Sequence, residues 1–273
     1  MTNNIISVIM GIKYTRPELD TLRRSIDSIL AQTYSDLELL ICERGSSRKA
    51  KECLSEYAAR DGRIRIIDGS GAVSFSEQLN MCLAQARGEW IARMDDDDYS
   101  DPERFERQLE YLKAHTDIAF VGCNVRLIQD GEDAGVQCFP ERPVPRDFLF
   151  SMPFIHPSLM FRKAALEQAG GYSTLPRCER CEDYDLLLRL YENGGCGANI
   201  QEFLFAYSLP HNGITTRGAK DRINEFKTRC VRFAKLNMLP GALPYAVKPL
   251  VVGLIPRKAL KKLKERERRK AAK

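Results

Sequence analysis

Four consecutive carboxylates, Asp95 to Asp98, follow the short apolar run Ile91-Ala-Arg-Met94 and lead directly into Tyr99-Ser-Asp-Pro102. Like charges held a few ångströms apart repel and raise each other's pKa, so such a run must either stay in water or meet a cation. A hard divalent ion suits it. Mg²⁺ takes oxygen ligands and is commonly held by one or two carboxylates together with substrate phosphates. The pattern points to a cation that carries a diphosphate, and so to nucleotide chemistry; the plain alternative is a solvated acidic turn.

The flanking periodicities show what must position these acids. Residues 5–10 form an apolar run of strand length, and Gly11 opens a polar loop to Pro17, a good first helical residue, with a helix to about residue 33. Residues 37–42 read as a second strand, Ser46 or Ser47 as the cap of a helix through residue 60, and 63–67 as a third strand. Ser74 or Ser76 caps a third helix, Gly88 stops it, and 89–94 form a fourth strand. This alternation predicts a mainly parallel α/β sheet covered on both faces, with its ligand crevice at the carboxyl ends of the strands. Gly11, Glu43 and Asp95 all fall at such ends. Beyond them the pattern predicts a helix from 101 to 115, a strand at 118–128, a loop or hairpin at 129–145, and a buried run at 154–161. A helix at 162–169, the Gly170-Gly171 break, a helix at 182–192 and a closing strand at 199–207 follow.

The last sixty or so residues differ in kind. Residues 220–236 read as a helix; 239–256 are apolar but interrupted by four prolines and Lys248, a poor candidate for a spanning helix, and a basic helix from Arg257 closes the chain. Residues 257–273 hold ten Lys/Arg and two Glu, a charge of +8 within a total of +5, so the body sums to −3. That asymmetry points to an anionic partner. No aromatic interleaves the charges, so nucleic acid is not expected, and an anionic membrane surface contacted peripherally is. Nine scattered cysteines suggest free thiols in a reducing compartment, and no signal peptide is visible in residues 1–10; the expected location is cytoplasmic.

Several motifs in one order carry a resemblance: Ser7-Val-Ile-Met-Gly11, Ser28-Ile-Leu-Ala-Gln-Thr-Tyr34, Glu38-Leu-Leu-Ile-Cys-Glu43, Arg93-Met-Asp-Asp-Asp-Asp98, Pro102-Glu-Arg104 with Gln108, His156-Pro-Ser158, Gly170-Gly-Tyr172 and Glu182-Asp-Tyr-Asp185. Together they resemble the family 2 inverting glycosyltransferases of bacterial surface-polysaccharide assembly, over about the first four-fifths of the chain. The resemblance implies a GT-A fold over residues 1–215 with a helical, basic extension at 216–273. It implies a sugar donor linked to a nucleoside diphosphate, with UDP favoured, and a glycan or polyprenol-linked acceptor.

Residue by residue, Asp95 and Asp97 resemble the family's Asp-x-Asp element. Asp97 would hold Mn²⁺ or Mg²⁺ on the diphosphate, with Asp95 near the ribose and His211 as a further metal ligand; Asp98 and Arg93 would face sugar or phosphates. Glu43 would read the base and Gly11 would let backbone approach the nucleotide. Here the chain has Glu43-Arg44-Gly45-Ser46 where the family commonly has Asp-Asp-Gly-Ser, which leaves the base open. Asp183 resembles the base that deprotonates the acceptor hydroxyl in an inverting transfer, with Glu182 beside it and Gly171 in the loop beneath the donor sugar.

Other readings weigh less. Residues 213–220 miss the Gly-Lys-Ser/Thr ending of a phosphate-binding loop, and an EF-hand would need glycine where Ser100 stands. A sugar nucleotidyltransferase, or a nucleotide-sugar-binding protein without turnover, remains as an alternative. Cys178-Glu-Arg-Cys181 has the spacing of half a zinc site without the second half and would instead line the acceptor side; His156 reads as orienting backbone and Trp90 as core.

Overall fold

The computed structural model describes residues 4–210 and 217–255. Four parallel strands form one half of the sheet: β1 (Ile6–Ile12), β2 (Leu37–Glu43), β3 (Ile64–Asp68) and β4 (Trp90–Arg93), side by side as β3-β2-β1-β4. The crossovers are α1 (Asp20–Leu30), α2 (Arg48–Arg60) and α3 (Phe75–Gln85). Both β1 and β2 are buried along their whole length, as strands covered on two faces must be.

Ser47 caps α2 by accepting from Ala50 N, and Ser74 caps α3 by accepting from Glu77 N while the Glu77 carboxylate takes Val73 N. Of the two serines offered at each start, one is engaged otherwise: Ser46 Oγ accepts from Tyr14 N. β1 runs two residues further than the apolar run suggests. Gly11 therefore sits inside the strand, paired with Cys42, because α3 lies tightly on it: a Cβ there would come within 3.1 Å of the Phe75 ring.

The second half is antiparallel and mixed. β5 (Tyr99–Ser100), α4 (Arg104–Ala114), β6 (Ile118–Gln129) and β7 (Glu132–Gln137) are followed by β8 (Met160–Arg162), α5 (Lys163–Gln168), α6 (Glu182–Glu192) and β9 (Cys196–Ser208). β8 wedges antiparallel between β4 and β6, β6 runs parallel to β9, and β5 closes the edge on β9. The sheet is thus mixed. Segment 129–145 resolves into the β6–β7 hairpin and a short 3₁₀ turn at Pro145–Leu149.

Two helices follow, α7 (Ala219–Lys235) and α8 (Leu243–Leu254). α7 is fastened to α6 by buried charge. Asp185, with no exposed surface, receives Arg189 Nε at 2.7 Å and Arg232 Nε at 2.9 Å, and Arg232 also binds Glu192. Phe233 joins the same apolar cluster as Leu186, Leu187 and Leu190. The basic helix expected from Arg257 lies outside the described residues.

Removing one member of a buried charge network leaves its partners desolvated and unpaired. Asp185→Ala should lower unfolding free energy by about 3–5 kcal/mol, read by urea denaturation; a change under about 1 kcal/mol would show that Arg189 and Arg232 rehydrate freely.

Candidate functional site

The carboxyl ends of β1, β2 and β4 open into a cleft of about 810 Å³. Its walls include Lys13 after β1, Arg44 after β2, Ser74 to Ser76 at the start of α3, Asp95 after β4, Met152 with Ile155 to Pro157, Glu179, Arg180, Glu182 and Asp183 around the start of α6, Tyr207 on β9, and Arg217 just before α7. Asp95 and the pair Glu182-Asp183, about ninety residues apart in sequence, thus face one cavity.

The acidic segment is tied down from three sides. Ser25 Oγ donates to Asp95 O at 2.6 Å, Arg24 Nη2 to Asp97 O at 3.1 Å, and Arg16 Nη2 to Asp97 Oδ2 at 2.8 Å, all from α1 or the loop before it. Ser208 at the end of β9 donates its N–H to Asp98 Oδ1 at 2.7 Å and its hydroxyl to Asp97 O. Arg93 grips the Asp95 carboxylate from below while stacking under the Phe75 ring.

Arg93 and Asp98 have no exposed surface. Arg93 meets Asp95 and Asp98 meets Ser208, so in this structure the contact of each with the site runs through a neighbour. Asp98 Oδ2 has no partner among the described residues, and burial, then the charges of Asp95 and Asp97, hold this carboxyl well above the usual range.

Burial and the charges of Asp97 and Asp95 push Asp96 up to about 7. Asp97 is raised as well, by burial first, with Arg16 pulling it down. These are the electrostatics of a carboxylate cluster short of positive charge. The donors are hard oxygens and suit Mg²⁺ or Mn²⁺. Among the described residues no group of three or more His, Cys, Asp or Glu converges into a full metal cage, so two carboxylates would need oxygens from a diphosphate to complete the shell. His211 lies outside the described residues.

Glu43 does not line the cleft. Its Oε1 accepts from Ser46 N at 2.6 Å and its Oε2 lies 3.5 Å from Lys51 Nζ, so the carboxylate braces the 43–46 turn, and the neighbour Arg44 presents the cleft-facing side chain. Gln78 ties the same region together, donating to Ile12 O and Cys42 O, both at 2.9 Å.

Gly170 and Gly171 both adopt positive φ, 76° and 65°, which suits only glycine well. A Cβ on Gly171 would also meet Asn80 Oδ1 at 2.8 Å, the atom that accepts from Tyr172 N. Arg189 donates to Gly171 O, and Tyr172 OH meets His156 Nε2 at 2.9 Å. His156 thus orients the loop, and burial holds its pKa well below the ordinary value, so the ring is neutral.

At α6 the helix N-terminus presents Glu182 and Asp183. Burial raises both; the charge of Asp183 adds to Glu182, while Arg217 holds Asp183 down. Asp183 Oδ1 accepts from Tyr184 N at 2.7 Å. Cys178 and Cys181 are buried beneath α7, with Cys181 Sγ near Arg177 O and Thr228, so they neither line the cleft nor pair.

Sequence reasoning missed the cations Lys13, Arg180 and Arg217. Nothing in their immediate neighbours marks them; Arg180 alone has a signal, its place directly before the acidic pair. The motif residues Gln32, Arg104 and Gln108 prove to be braces. Gln32 takes Phe105 N and donates to Asp101 O, Arg104 donates to Arg93 O, and Gln108 to Ser158 O.

The glycosyl transferase family 2 profile matches residues 8–170. The chain is 37% identical over 227 residues to the O-antigen biosynthesis glycosyltransferase WbnJ of Escherichia coli, covering 79% of this chain and 84% of that protein. Among solved structures, S. aureus TarS 1-349 in complex with UDP-GlcNAc shares the fold with a TM-score of 0.69 at 14% identity, over 91% of this chain and 73% of that one. The mannosyltransferase PcManGT of Pyrobaculum calidifontis, in complex with GDP-Man and Mn²⁺, gives 0.60 at 17% identity, over 97% and 79%. With a mixed sheet of GT-A type and a profile match over more than half its length, this chain belongs to glycosyl transferase family 2 and is a glycosyltransferase.

Proposed function

We propose that the enzyme is an inverting transferase that moves a sugar from a UDP-sugar to a hydroxyl of a glycan or polyprenol-linked acceptor in polysaccharide assembly. The observation that carries this reading is the facing of Asp95 and Asp183 across one cleft, with the pKa raised at Asp96, Asp97 and Asp183. The name of WbnJ supports the polysaccharide setting, and the UDP-GlcNAc complex of TarS supports the donor.

In this reading Asp95 and Asp97 hold Mg²⁺ or Mn²⁺ against the diphosphate, with His211 as a further ligand. Bound there, the ion would neutralise charge on the departing diphosphate. Lys13, Arg44 and Arg217 add fixed positive charge where phosphate oxygens enter. The base lies beside the 43–46 turn that Glu43 braces, and Gly11 keeps β1 close to α3 behind it. Gly171, Glu182 and the buried Asp98 and Arg93 fix the floor and walls.

Asp183 takes the proton of the acceptor hydroxyl as the sugar carbon is attacked from the face opposite the diphosphate. Its carboxylate is a stronger base than an exposed aspartate, because burial disfavours its charge. The basic C-terminal segment would meet an anionic membrane surface, bringing a lipid-linked acceptor to the cleft.

UDP with Mn²⁺ should raise the melting temperature of the wild type, by the equivalent of about 2.7 kcal/mol at a hundredfold excess over Kd. Asp97→Ala should abolish the metal-dependent part; stabilisation that persists in that variant would refute the assignment.

Asp183→Asn should leave UDP binding intact and lower kcat by about 10²–10⁴-fold. Because the Asp183 pKa is raised, activity should fall on acidification at a higher pH than for a free aspartate, and Arg217→Met, which removes a charge holding that pKa down, should move the limb to higher pH still. A limb that stays in place or moves to lower pH would exclude Asp183 as the base. Rates at saturating Mn²⁺ and donor across pH make the measurement.

A further inference from the structure

α8 packs on α7, and Ala246 and Pro249 are its two buried residues. Its outer side is apolar and exposed. At about 100° per residue, Leu243, Val247, Leu250, Val251 and Leu254 fall within an arc of about 100°. Leu243, Val251 and Leu254 are 48, 54 and 85% exposed, and Leu250 and Val247 are half-buried. Five aliphatic side chains thus form a stripe with no charge in it.

Beside α8 stands Phe150, 64% exposed, its ring edge-on to Tyr245 at 4.8 Å and under the Lys248 ammonium at 5.2 Å. Phe150 meets α8 on its Tyr245 and Lys248 side, away from the stripe, and the stripe alone is exposed apolar surface of the kind that marks an interaction site.

We infer that this outer face of α8 is the surface by which the enzyme docks on an anionic lipid bilayer. Charge continuity selects that occupant. The stripe ends at Leu254, and only three residues later begins the segment of ten Lys/Arg against two Glu, whereas the rest of the chain sums to −3. An apolar stripe continuous with polybasic sequence is what a helix lying in a headgroup layer requires, and each basic residue near such a surface strengthens binding about fivefold.

The inference rests on the reading that the basic segment meets an anionic leaflet, and adds the apolar contact surface and its position.

Flotation with vesicles of phosphatidylcholine, alone or mixed with phosphatidylglycerol, tests it on the full chain. Wild type should float with the mixed vesicles. The triple variant Leu243→Gln, Val251→Gln, Leu254→Gln changes only exposed positions, so it should fold, keep its response to UDP and Mn²⁺, and partition at least about tenfold less. Lys261→Glu, Lys262→Glu, Lys264→Glu should weaken binding to mixed vesicles selectively. Leu254→Trp should shift its emission to the blue on adding mixed vesicles, against a constant background from the buried Trp90.

A wild type that ignores mixed vesicles, or a triple variant that floats like it, overturns the inference. So does a dimer by sedimentation that the triple variant dissolves while neither binds vesicles, since the stripe would then cover a second copy. Loss of the UDP and Mn²⁺ response with flotation intact would fault the catalytic reading alone, and efficient transfer only to water-soluble glycans would fault the lipid-linked acceptor alone.

Discussion

The constraint on which the rest depends is the confinement of four like charges to one strand end. A parallel strand must stop where the crevice begins, and β4 stops at Arg93, so Asp95 to Asp98 turn back under the mouth of the cleft. Repulsion would open that turn if its backbone were free. It is not: Ser25, Arg24 and the Ser208 hydroxyl donate to the carbonyls of Asp95 and Asp97, and Arg16, Arg93 and the Ser208 N–H each hold a carboxylate. Cations that neutralise part of the cluster lie below and beside it, while the side facing the cleft keeps acidity to offer. The arrangement trades local stability for readiness to bind positive charge, as sites built for function do.

A second buried charge system serves position. Asp185 on α6, Arg189 toward the Gly170-Gly171 loop, and Arg232 and Arg229 on α7 join three segments that also share the apolar cluster around Phe233. Arg229 lies over the Tyr184 ring and donates to Leu149 O, and Glu225 takes both Arg229 and Arg217. Through that chain α7 sets where Arg217 stands beside Asp183. Buried ion pairs add little net stability over apolar packing, but they are specific about geometry, and here geometry at the base is what they deliver.

Much of this was legible in the residues. Apolar runs gave β1 to β4, serines gave the caps of α2 and α3, and Glu182 marked the first residue of α6. What was not legible has physical causes. The strand period cannot tell that Gly11 continues β1, because the reason is the ring of Phe75 on another element. The antiparallel insertion of β8 is three residues long and has no pattern of its own. Arg93 and Asp98 carry charge, which reads as exposure, yet tertiary cover buries both. Lys13, Arg180 and Arg217 come to the cleft from loops whose paths only the assembled fold determines.

Asp183, the base in the proposed reading, shows which force prevails where several compete. A carboxylate at a helix N-terminus is favoured by the macrodipole, by up to about 2 kcal/mol in partly buried geometries. Arg217 favours the same charged form. Both effects would make Asp183 a weaker base, yet its pKa is raised, so loss of solvation outweighs them. The opposition is useful. Loss of solvation pulls the carboxylate toward its neutral form, while the helix end and Arg217 pull it toward the ionised one, so in the proposed reading the balance between them tunes how readily Asp183 takes a proton.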